Sequence, residues 1–128
     1  MIIEQRFYQL RPECMKPWLA LWERAALPLQ LEYIRSFGGR FLGMYLSEVG
    51  QVNEVTHLWQ HLDIERRMAM RAVLERDPRW ELYRDEVDAL APMLSMRNTI
   101  LRPTPFSPTA LEPVMSAEPL QADLQANR

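Results

Sequence analysis

The sequence predicts an α+β domain of the ferredoxin-like kind, a β-α-β-β-α(α)-β chain folded into one sheet with its helices on one face. Three observations lead there. Asn53 to His61 alternates with period 2, placing Val55, His57, Trp59 and His61 on one side and Thr56, Leu58 and Gln60 on the other, as a strand does. Trp18, Trp22, Ala25, Leu29 and Tyr33 recur instead at helical spacing, and so do Trp80, Tyr83, Val87, Leu90 and Leu94. The order of such segments is strand, helix, strand, strand, broken helical region, strand, which is that of two βαβ-like halves.

Taken in order, Ile2 to Leu10 supplies the first strand, rich in Ile, Phe and Tyr and mixed in polarity on both faces. Pro12 ends it, and Pro17 suits the first turn of the helix that follows. Pro28 lies inside this helical run. It donates no hydrogen bond and crowds the carbonyl four residues back, so a kink is expected near Arg24–Ala25. Gly38-Gly39 closes the helix. Arg40 to Glu48 reads as the second strand, with Leu42, Met44 and Leu46 sharing a face, and Gly50-Gln51 as the turn into the third. Asp63 caps a helix from Ile64 to Glu75 with Ile64, Met68 and Leu74 inward. Asp77-Pro78 restarts a helix, and Met96 to Arg102 forms the closing strand. Residues 1–108 are therefore expected to form the domain. The Pro-, Ala- and Gln-rich residues 109–128 are expected to form a flexible or extended tail.

A length of 128 residues suits one domain, and a 48% hydrophobic, 25% charged composition is that of an ordinary globular chain. A net charge of −2 argues against nucleic-acid binding, which needs a basic patch. No apolar run approaches the ~20 residues of a membrane span. No signal peptide precedes Ile2, and the lone Cys14 suits a reducing compartment, so a cytoplasmic location is expected. Cys14 itself, with only Lys16 as a cationic neighbour, reads as incidental. No Gly-x-Gly-x-x-Gly, Walker-type or Cys-x-x-Cys stretch is present, and no cofactor is expected. His57 and His61 are four apart on a strand, about 13 Å, too far to share an ion, so no metal site is expected.

One sheet face asks for a covering. Tyr8, Tyr45, His57, Trp59 and Asn98 are too large a group to face water singly, and such a patch marks an interaction or ligand surface. Two sheets packed face to face would cover it as a homodimer. Each candidate has two readings. His57 could act as a general base in a desolvated pocket, or be a buried histidine bonded to a neighbouring strand. Tyr8, Tyr45 and Trp59 could hold a planar molecule, or be core and dimer contacts. Arg6 and Arg97 could hold an anion, or pair with Glu4, Glu48 or Glu54 across strands. Asn98 could orient a carbonyl, or satisfy backbone. Arg66, Arg67, Arg71 and Arg76, interleaved with Glu65, Glu75 and Asp77, read as a solvated face.

The opening Ile-Ile-Glu-Gln-Arg-Phe-Tyr-Gln-Leu-Arg-Pro, the central Asn-Glu-Val-Thr-His-Leu-Trp, the Asp77-Pro78-Arg79-Trp80 break and the closing Ile-Leu-Arg-Pro-Thr-Pro-Phe-Ser-Pro resemble a bacterial member of the NIPSNAP family over about residues 2–108. The resemblance implies a dimeric α+β barrel, a fold shared with small cofactor-free monooxygenases and haem-degrading proteins, but no particular chemistry. Three functions are left open. The first is a homodimer binding a small apolar or aromatic molecule through Arg6, Tyr8, Tyr45, Trp59 and Asn98. The second is a cofactor-free monooxygenase or isomerase with His57 as base. The third is an interaction module with no ligand pocket.

Overall fold

The period-2 stretches pair as strands. β1 (Ile2–Leu10) and β3 (Glu54–His61) lie side by side at the centre, with β2 (Arg40–Leu46) outside β3 and β4 (Met93–Leu101) outside β1. The sheet order is β2-β3-β1-β4 and every pairing is antiparallel, the ferredoxin-like arrangement. This computed structural model describes residues 1–108, so the tail expected over 109–128 lies outside the described residues. The register sets Arg6 opposite His57 on β3 and Asn98 on β4, and Tyr8 opposite Val55 and Met96. Side chains directly opposite on one face are in contact range, so Arg6, Tyr8 and His57 form one local group.

The first helical run comes in three pieces: α1 (Met15–Leu21), a π-helical turn (Trp22–Ala26) and α2 (Leu27–Ser36). Pro28 has no N–H to give the carbonyl of Arg24, and Leu27 N–H bonds instead to the carbonyl of Trp22, five residues back. The kink expected from Pro28 is this wide turn. Gly38 then takes φ 75° and ends α2. The carboxylate of Asp63 accepts from Arg66 N–H at 2.8 Å and starts α3 (Ile64–Arg76). Asp77 accepts from Arg79 N–H at 2.8 Å and starts α4 (Pro78–Leu90). Among the described residues no helix is long and apolar enough to cross a membrane.

Several expected details differ. α4 stops at Leu90, because Ala91 turns left-handed at φ 47° and Pro92 cannot continue a helix. Leu94 therefore belongs to β4, which begins at Met93, and is 60% exposed rather than inward. The β2–β3 connection spans 47–53 rather than a tight turn at Gly50-Gln51, and β2 ends at Leu46. A bulge between Phe41 and Gly43 shifts the pairing so that Phe41 joins Met44 on the face of Trp59 and His57, displacing Leu42 from the stripe it was given. Gly43 accommodates it at φ 149°. In α3 the inward residues are Arg67, Met70, Arg71 and Leu74, while Ile64 and Met68 are 48% and 57% exposed.

The largest correction concerns the two sheet faces. Tyr8, His57 and Trp59 were expected on a face left bare by the helices, but they lie beneath them, each less than a tenth exposed. Glu4, Arg6 and Leu10 share that covered face, over which Trp18, Trp22, Leu29, Ile34, Leu74 and Trp80 pack. Ile3, Phe7 and Leu58 point to the opposite, outer face, as does Tyr45, 55% exposed.

Candidate functional site

The covered face is unusually polar, and its anchor is Glu4, only 2% exposed. Its Oε1 accepts from His61 Nε2 at 3.1 Å. Its Oε2 accepts from Arg67 Nη2 at 2.6 Å, Asn98 Nδ2 at 3.1 Å and Arg6 Nη1 at 3.2 Å. Burial alone would raise the Glu4 carboxyl, but the bonds from His61 and Arg67 and the charges of Arg6 and Arg67 hold it well below the usual carboxylate range. Since an ionised carboxylate only accepts, His61 Nε2 carries the proton in that contact.

His57 sits one register step away, 2% exposed. Trp59 Nε1–H donates to its Nδ1 at 2.7 Å. In a neutral imidazole one nitrogen accepts and the other donates, so this bond assigns the proton to Nε2. That Nε2 is buried and has no hydrogen-bond partner among the described residues. Burial first, then the nearby Arg6 guanidinium, pushes the His57 pKa down to about 3, against the opposing pull of Glu4. His57 is therefore a neutral N–H donor across the ordinary pH range. A general base needs a free lone pair, and the single one here is already bonded to Trp59.

Above this group a cleft of about 520 Å³ opens between the sheet and the helices. That volume suits a small organic molecule. β1 gives it Arg6 and Tyr8, β3 gives His57, and the π-helical turn gives Trp22. From α3 come Arg71 and Glu75, and from α4 come Trp80 and Tyr83, stacked obliquely at 4.9 Å. The exposed Arg84, Asp88 and Met96 form the rim, while buried Tyr8, His57, Trp22, Trp80 and Tyr83 form the floor and walls. The Tyr8 ring meets that of His57 edge-on at 4.8 Å. Arg6 Nε donates to the Tyr8 hydroxyl at 2.8 Å, which fixes both. Burial and the Tyr8 hydroxyl raise the Tyr83 pKa, so that phenol stays protonated.

Of the six residues nominated from sequence, the structure brings Arg6, Tyr8 and His57 together on the cleft. Trp59 lies behind His57 and touches the site through it. Asn98 is spent on Glu4, and Tyr45 stands on the outer face. Arg97, the second suggested anion holder, lies over the Phe7 ring at 3.7 Å on that outer face. Its place in the cleft is taken by Arg71, which sequence reading assigned to a solvated face. The overlooked signal is a stripe: Arg67, Met70, Arg71 and Leu74 follow the i, i+3, i+4, i+7 spacing of an inward helix face.

Comparison with known proteins places this geometry. The NIPSNAP family model matches residues 3–108. Protein NipSnap homolog 2 of Homo sapiens is 32% identical over 108 residues, covering 84% of this chain and 35% of the human protein. This chain thus spans about a third of the length of that relative. An uncharacterised NIPSNAP-like domain protein from Burkholderia xenovorans superposes with a TM-score of 0.74 at 33% identity, over 84% of this chain and 89% of that one. A Nitrosomonas europaea protein, provisionally described as an antibiotic biosynthesis monooxygenase, shares the fold alone, with a TM-score of 0.59 at 12% identity over 80% of this chain and 98% of that one.

Two outcomes follow from the state of His57. As pH falls below the ordinary histidine value of 6.5, the unfolded chain takes up a proton that the folded one refuses until about pH 3. The contribution is full above 6.5 and declines by about 1.4 kcal/mol per pH unit on acidification. Between pH 6.5 and 4.5 wild type should lose about 2 kcal/mol more unfolding free energy in urea than His57→Gln. Equal losses would mean that His57 is not held neutral. Trp59→Phe removes the donor to Nδ1. In ¹⁵N-detected NMR, wild-type His57 should show a protonated Nε2 and bare Nδ1, and the variant a mixture of tautomers; an unchanged pattern would detach the tautomer from Trp59.

Proposed function

This chain belongs to the NIPSNAP family, and we propose that it binds a small planar aromatic molecule in the cleft between the sheet and the helices, and does so as a homodimer. The observation that carries the reading is the Nε2–H of His57, buried at the floor of an aromatic-walled cleft with no partner among the described residues. A buried donor left unmade costs about 1–3 kcal/mol, which a ligand oxygen would recover. Tyr8, Trp22, Trp80 and Tyr83 offer apolar area with few rotors to freeze, which suits a flat guest. The activity of the much longer relatives is not carried over to this chain by the match. The alternative of a cofactor-free monooxygenase or isomerase with His57 as base has less support, since its lone pair is engaged. A module without any pocket is opposed by the cleft itself.

Dimerisation would use the outer sheet face. Ile3, Phe7, Leu42 and Leu58 are half-buried there and Tyr45 and Leu101 are exposed, a surface suited to a second copy packed face to face. Sedimentation should give a dimer for wild type and a folded monomer for Phe7→Glu. A monomeric wild type would remove this part of the reading.

The cleft is tested separately with 2-naphthol. Saturable quenching of tryptophan fluorescence is expected, because Trp22 and Trp80 line the walls. Val87→Trp, which places bulk inside the cleft, should weaken it at least tenfold. Undiminished quenching in a folded Val87→Trp protein would put the binding elsewhere.

A further inference from the structure

Where β1 faces α3, in and beneath the cleft, positive charge exceeds what the carboxylates answer. Arg6 pairs with Glu4 at 3.2 Å, but Glu4 is shared with Arg67 at 2.6 Å. Among the described residues Arg71 pairs with Glu75, at 3.3 Å, and that carboxylate is half exposed while the Arg71 side chain is 22% exposed. Three guanidiniums (Arg6, Arg67, Arg71) thus meet two carboxylates (Glu4, Glu75), an excess of one positive charge. At the rim Arg84 and Asp88 offset each other. Burial, and next to it the charge of Arg6, pull the Arg71 pKa down, so the two guanidiniums feel each other across the cleft. Arg71 also lies against the Trp80 ring, its Cζ 5.8 Å from the centroid, which leaves the guanidinium beside an aromatic wall. Arg6 Nη2 makes no hydrogen bond among the described residues.

We propose that the cleft selects planar aromatic carboxylates, the carboxylate lying between Arg6 and Arg71 and the ring against Tyr8, Trp22 and Trp80. This rests on the cleft-binding reading above and names the ligand class. One excess charge matches a carboxylate, whereas a phosphate monoester at neutral pH brings close to two. Arg6 Nη2 can donate to one carboxylate oxygen and the Arg71 guanidinium to the other, and in a half-desolvated site their attraction exceeds what it would be in water. The same excess charge disfavours metal cations and amines. His57, a neutral donor here, adds a hydrogen bond without adding charge.

The test is calorimetric titration of the full chain with 2-naphthoate and its neutral counterpart 2-naphthamide. Naphthoate should bind at least tenfold more tightly, and added NaCl should narrow the gap. Arg71→Gln should remove the preference, bringing naphthoate and naphthamide affinities to within about twofold of each other. Arg71→Lys, which keeps the charge but loses the fork, should retain an intermediate preference. Circular dichroism and thermal melting establish that both variants are folded. Equal affinity for acid and amide, or a preference untouched in Arg71→Gln, overturns the inference and leaves the cleft reading standing if 2-naphthol still binds. Absence of binding by naphthoate, naphthamide and naphthol alike overturns both.

Discussion

A carboxylate that has lost its water must be surrounded by donors, and Glu4 is. The groups that reach it come from β1 (Arg6), β3 (His61), β4 (Asn98) and α3 (Arg67), so one side chain ties three strands and a helix together. A buried charge stripped of a partner costs about 3–5 kcal/mol, a large share of the stability of a domain this size. That asymmetry dictates which sheet face the helices cover. Turning β1 over would send Glu4 into water but would strand Arg67 beneath α3. The polar face is therefore the inner one, and a polar inner face beside aromatic helices leaves a site rather than a sealed core.

The orientation of α3 follows from the same constraint. With Arg67 turned inward to Glu4, helical geometry brings Met70, Arg71 and Leu74 with it. Ile64 and Met68 are then carried to the outside, although they are among the more apolar residues of the helix. Ranking residues by hydrophobicity alone leads to the opposite assignment. Helical spacing favours the observed face, since Met68 and Leu74 are six residues apart and do not share a stripe.

This marks how much was legible in sequence. Strands, helices, their order, the caps at Asp63 and Asp77 and the disturbance at Pro28 depend on local chemistry, and each can be read from a few neighbouring residues. Which side of the sheet is covered depends on where a distant arginine finds its carboxylate, and no short window contains that. Arg6, Tyr8 and His57 were legible as a group because one pleat aligns the first two and one register step adds the third. Trp22, Trp80 and Tyr83 looked like core stripes and are core in part; they also line the cleft because the helices do not close fully over the sheet. Tyr45 was misplaced by simple alternation on β2, which the bulge before Gly43 interrupts.

The Trp59–His57 bond is the counterpart of the Glu4 cluster on the neutral side of the site. A free imidazole beside two guanidiniums would have two tautomers open to it, presenting either a lone pair or an N–H to the cleft. The indole donor on the same strand face, two residues along, removes that choice. The pairing follows from strand periodicity: His57 and Trp59 could not share a face at any odd separation. It also explains why burial of His57 is tolerated so close to Arg6, since a neutral ring avoids the repulsion that a protonated one would meet. The site thus sets the guanidiniums of Arg6 and Arg71 beside a neutral dipole that Trp59 holds in one orientation. In the complex proposed above, that dipole would orient the ligand and the guanidiniums would hold it.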